Sequence, residues 1–164
     1  MNTAGTAAAL SRLFVELVDG TAGFDGGYIL NTGDDGLVRS LEKLSAADAS
    51  RSTNDGATVA GHVQHVRYGL SLMNRWGSEG GNPFADAKWD DAWKTREVDQ
   101  QTWDEILLGF RDEARQWYDV LRKPREVTEV ELAGMASSVA HLGYHFGAIR
   151  QINKDARGPK EGSY

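Results

Sequence analysis

The chain carries four histidines, and they fall in two pairs: His62 and His65, three apart, and His141 and His145, four apart. On a helix either spacing puts both rings on one face. Imidazole nitrogens bind zinc-like ions at about 2.0–2.1 Å. Two rings a turn apart can therefore share one ion, and a ring from a facing helix can complete a three-nitrogen set. Helical proteins build such sites from side chains that project off facing helices. The spacing leaves a second possibility open, because histidines on an apolar seam also serve as hydrogen-bonded core residues. There is no cysteine, which removes disulfides, thiolate zinc sites, iron–sulfur clusters and a cysteine nucleophile. The di-iron pattern of Glu-x-x-His is absent, since Glu131 lies ten residues before His141. A haem held by one histidine from each helix would leave the His141/His145 pair without a purpose. No phosphate-cradling loop or dinucleotide fingerprint is visible: Gly26–Gly27 and Gly80–Gly81 lack the required strand-to-helix context.

The elements that must position these rings are helical. Apolar residues at helical spacing predict a first helix from Thr6 to Asp19, stopped by Gly20, then a glycine-rich loop and a short helix from Leu37 to Leu44. A long helix is predicted from Ala57 to Gly77, with Asn54 and Asp55 as capping candidates. Its seam Val59, Val63, Val66, Leu70, Met73 has a neighbour that holds Thr58, His62, His65, Gly69, Leu72 and Trp76. A third helix is expected from Asp99 to Lys123, with Thr102 and Glu105 as a capping pair and Pro124 ending it. A fourth opens on the Thr128/Glu131 capping box and runs to Lys154. One of its seams holds Leu132, Ala136, Val139, Gly143 and Phe146. The other holds Gly134, Ser138, His141, His145 and Ala148, small enough around the rings to admit an ion and a ligand. The connection from Gly77 to Val98 is long for a helical bundle. Trp89 and Trp93 in it are four apart, so part of it is expected to be helical and to lie across the bundle, either capping a pocket or anchoring the loop. These features predict an all-α protein, a four-helix bundle whose order is not simply up-down-up-down. Residues 1–154 form one domain, followed by a polar tail, 155–164, that is expected to fray.

The stretches TVAGHVQHVRYG (Thr58 to Gly69) and HLGYHFGAIRQI (His141 to Ile152) together resemble the DinB/YfiT-like superfamily, which includes bacillithiol S-transferases and mycothiol-dependent maleylpyruvate isomerases. Thr58 and His65 match a Ser or Thr seven residues before a His on the second long helix. His141, His145, Gly147 and Ile149 match His-x3-His followed by Gly and Ile or Leu on the last. Ala148 stands where many relatives have Gln. The resemblance implies a four-helix bundle with a divalent ion, zinc or nickel, held by His65, His141 and His145. His62 then becomes a second-shell group, a pocket residue or an alternative to His65. The resemblance further implies a metal-dependent transferase that uses an external low-molecular-weight thiol, since the chain has no sulfur nucleophile of its own. It also implies a homodimer. Hydrolysis of a small molecule is the competing chemistry, and the same three ligands serve both. Tyr68 and Tyr144 are candidates for pocket lining or for core packing.

Composition bounds the partners. In 164 residues there are 24 acidic and 18 basic side chains, net −6, which argues against a nucleic-acid binder. No apolar run approaches the length of a membrane span, and the first residues lack the basic and apolar regions of a signal peptide. A cytoplasmic protein acting on a small-molecule substrate is expected. The alternative from a different class is a non-catalytic binding or dimerisation bundle with packed histidines, motivated by the lack of a clear general acid or base.

Overall fold

The computed structural model describes residues 2–160. Among these the protein is all-helical. Its elements are α1 (Ala4–Asp19), α2 (Gly36–Glu42), α3 (Ala46–Ala49), α4 (Val59–Glu79), α5 (Trp89–Ala92), α6 (Gln100–Leu121) and α7 (Glu129–Ile152), then a 3-10 turn over Lys154–Ala156. Two isolated bridges, Asn2 with Glu126 and Ser52 with Thr58, are the only extended pairings among the described residues. No helix there is long and apolar enough to cross a membrane.

The four long helices close into a ring: α4 packs on α6 and α7, and α1 packs on the same two. Helices that follow one another across the short α6–α7 link therefore do not lie side by side. They meet through the core, where the Trp117 indole N–H donates to Ser138 Oγ at 2.8 Å. The apolar stripes read from the sequence meet there. Val59, Val63, Val66, Leu70 and Met73 of α4 are all buried, as are Trp103, Phe110, Ala114, Trp117 and Leu121 of α6. On α7 the buried stripe is Met135, Ser138, Leu142, His145 and Ile149, with Val139 and Phe146 beside it. It runs between the two seams expected, and Ala136 is exposed. Small or apolar residues occur on every face of α7, so its periodicity alone did not say which face turns inward.

The helix starts differ from expectation in two places. Asn54 and Asp55 do not cap α4; they sit at φ 53° and 56° in the turn before it. The cap is Thr58, whose Oγ1 accepts from Gly61 N at 3.1 Å. In α6 the cap is Asp99, accepting from Thr102 N at 2.8 Å, rather than Thr102 itself. The Thr128/Glu131 box forms as expected, with both reciprocal hydrogen bonds present.

The loop from Thr21 to Asp35 is held by a buried carboxylate. Glu16 accepts from the backbone N–H of Tyr28, Ile29 and Leu30 at 2.7–3.0 Å and pairs with Arg12 at 3.1 Å. The loop's neck closes at Gly20 (φ 88°) and Gly36 (φ 76°), where a Cβ on Gly36 would fall 2.3 Å from Gly20 N. Only glycine allows that backbone approach. The tail departs from the fraying expected of it as far as it is described. Ala156 is fully buried, and its carbonyl accepts from Arg150 Nε. Arg150 also spans both Asp34 oxygens at 2.8 Å. Residues 161–164 of the tail lie outside the described residues.

Candidate metal centre

The Thr58 cap starts α4 so that His62 and His65 fall on its first two turns, facing the middle of α7. The Thr58 hydroxyl also donates to the Arg96 carbonyl at 2.9 Å. Gly61 admits the Thr95 carbonyl against the helix, since a Cβ there would lie 2.8 Å from that oxygen. These contacts lay the α5–α6 connection along the start of α4 and bring Trp93 over the histidines. The Thr of the sequence motif thus has a plain physical role: it caps one ligand-bearing helix and fastens the segment that covers it.

All four histidines converge. His141 Nε2 lies 3.1 Å from His65 Nε2 and 2.9 Å from His145 Nε2. One ring nitrogen from each of His65, His141 and His145 lies within 4.8 Å of the others. An ion bound tetrahedrally at about 2.05 Å spaces its nitrogens about 3.3 Å apart, close to the two separations that meet at His141 Nε2. His62 does not join the set. Its Nδ1 instead meets His145 Nδ1 at 2.8 Å, on the far side of the His145 ring from the triad. That is the position of a group that orients a ligating imidazole.

Burial pushes all four rings below the usual imidazole range. His65 falls to about 4 and His145 to about 3, because of burial first and the repulsion of neighbouring rings second. At pH 7 the cluster is therefore neutral, the state in which imidazole offers a lone pair to a metal. Trp93 stacks on His65 with centroids 4.1 Å apart and planes at 20°. It also presents an edge contact to His62 at 5.5 Å. His65 Nδ1 is buried with no hydrogen-bond partner, so stacking rather than a hydrogen-bond acceptor aligns this ring.

Tyr68 and Tyr144 take different places. The Tyr68 hydroxyl accepts from Lys88 N at 2.8 Å and its ring meets Trp89 edge-on, which supports α5. Tyr144 is 72% exposed and touches His145 edge-on at 5.0 Å, so core packing does not describe it. The two tryptophans of the long connection both anchor it and cover the site. Phe84, stacked against Trp89 at 6.0 Å, was not foreseen; a lone Phe in a loop carries no periodic signal.

The chain matches no family model, no curated protein and no solved structure.

A three-imidazole set fits a divalent ion by donor type, protonation state and separation. A cleft of about 560 Å³ opens beside it between α4 and α7, with His65 and His141 in its wall. No carboxylate lines that cleft.

Proposed function

We propose that this is a DinB-like, divalent-metal-binding protein that acts on small molecules, and that its reaction class is metal-dependent thiol transfer. The convergence of His65, His141 and His145 carries the reading. The closed ring of four long helices, with the site between the second and the last, supports the family resemblance of the two histidine motifs. Zinc or nickel suits three neutral imidazoles. When bound, such an ion supplies Lewis acidity at whichever coordination positions the protein leaves open.

The protein's own residues then do three things. His65, His141 and His145 hold the ion. His62 and Trp93 orient two of the rings. The cleft walls exclude water from one side. Thiol transfer is favoured over hydrolysis because no carboxylate lines the cleft to protonate a poor leaving group. A thiol, with a pKa of about 8.5, needs little help to ionise. Its proton leaves to solvent, its sulfur forms the new bond to an electrophilic carbon, and the leaving group departs with the bonding pair. The homodimer belongs to the same family reading and is tested by sedimentation.

Metal analysis of freshly purified protein tests the centre. About one equivalent of zinc or nickel is expected, and less than a tenth of that in a His65→Ala/His141→Ala/His145→Ala variant. Substoichiometric metal that the triple variant leaves unchanged overturns the proposal. It would favour the other reading, a non-catalytic binding bundle, for which the carboxylate-free cleft is the supporting observation.

A further inference from the structure

The cleft beside the histidines is chemically one-sided. Its walls are Leu70 and Met73 of α4 and the aromatic pair Phe84 and Trp89 from the connection. No Lys, Arg, Asp or Glu lines it. Of its two serines, Ser138 is already engaged, donating to the Met135 carbonyl and accepting from Trp117. The polar groups left to meet a ligand are the hydroxyl of Ser137 and the rings of His65 and His141.

The space is made by residues that lack side chains. Gly69 leaves a gap between a ligand ring and the cleft wall: a Cβ there would meet His141 Cε1 at 3.7 Å and Trp89 at 3.8 Å. Gly134 faces Met73, whose terminal methyl would lie 3.9 Å from an added Cβ. Glycine inside a helix costs about 1 kcal/mol relative to alanine, so one on α4 and one on α7, both lining the cleft, mark a volume kept open. The cleft, about 560 Å³, is within the usual range for small-molecule sites.

We propose that this cleft selects an uncharged, largely apolar ligand, aromatic or branched aliphatic, whose one donor atom is directed at the histidine triad. The inference rests on the metal-centre reading and goes beyond it by fixing the class of thiol or substrate. An anionic group held away from the triad would lose its hydration in the cleft without meeting a cation, in a protein whose net charge is already −6. An apolar group gains by displacing water from Leu70, Met73 and Trp89. The aromatic pair at Phe84 and Trp89 favours a flat ring through stacking.

The experiment titrates Co(II)-loaded protein with phenylmethanethiol and with 4-(mercaptomethyl)benzoate, whose carboxylate cannot reach the ion its sulfur binds, reading the sulfur-to-cobalt charge-transfer band. Phenylmethanethiol is expected to bind about tenfold or more tightly than 4-(mercaptomethyl)benzoate. Gly134→Leu, which fills the cleft and raises helix propensity, is expected to cut the aromatic thiol's affinity about tenfold while Co(II) uptake stays the same. Equal affinities of the two thiols, or an aromatic affinity that Gly134→Leu leaves unchanged, overturn the cleft's role while the metal centre stands. Failure of the wild-type protein to take up Co(II) overturns both.

Discussion

His62 is the residue whose role depends most on its partner. Its Nδ1 lies 2.8 Å from His145 Nδ1. If His145 offers Nε2 to the triad, its Nδ1 carries the proton and donates to His62, which must then be the Nε2–H tautomer. Outer-shell partners of this kind typically change metal affinity by about 10–100-fold. His62→Ala is therefore expected to weaken metal binding about tenfold or more in a competitive chelator titration. His62→Gln, which keeps an acceptor, should recover part of the loss. An affinity unchanged in His62→Ala would show that the contact does not orient His145. The neighbouring ring is held otherwise, His65 by Trp93, so the His65 and His145 rings are aligned by different means.

At the scale of elements, the loop after α1 depends on one side chain. Burial by itself pushes the Glu16 carboxyl up, but the three backbone N–H groups it accepts from, with Arg12, outweigh this and hold it below its ordinary value of 4.5. A group whose pKa is depressed on folding contributes stability above its unfolded pKa. That contribution is lost as pH falls through the folded one. Wild-type stability should therefore drop as pH falls below about 4.5, and Glu16→Gln should show a shallower fall over the same range. At pH 7 the same variant is expected to lose about 2 kcal/mol, measured by urea unfolding. The α6–α7 contact is a second element-scale test. Ser138→Ala leaves the buried Trp117 N–H without its acceptor and should cost about 1–3 kcal/mol in the same assay. The helix caps show where local reading worked. Thr128/Glu131 was legible because both partners of the box lie within one turn. Thr58 was passed over for Asn54 and Asp55 because all three types favour a cap, and only the turn geometry at Asn54–Asp55 chose between them.

For the whole molecule, the site joins α4 to α7 through four rings, so an ion there would cross-link two halves of the ring of helices. Metal at 100-fold its Kd adds about 2.7 kcal/mol to stability, which at this chain length is about 5–10 °C in Tm. A chelator should lower the melting temperature of the metal-loaded protein by that amount and leave the triple histidine variant unaffected. A melting temperature indifferent to chelator would favour the non-catalytic bundle. The sequence by itself determined that the chain is helical, where its long helices lie, and which faces of α4 and α6 turn inward, because apolar spacing is a local property and those helices have strong polar contrast. It also singled out the histidines, since pairs a turn apart share a face whatever the fold. What it left open was between His62 and His65, and between the two seams of α7. The tertiary structure brings His65, not His62, within 4.8 Å of His141 and His145 by ring nitrogens, and it buries a stripe of α7 that runs between the two seams. The rotation of α7 follows from how Met135, Leu142 and Ile149 fill the core against three other helices. That rotation turns His145 Nε2 toward His141 and leaves its other nitrogen to His62. The Trp93 cover and the glycine-made cleft were likewise beyond local reading. Each is a contact between segments far apart in the chain, and no spacing rule links a loop tryptophan to a helix histidine.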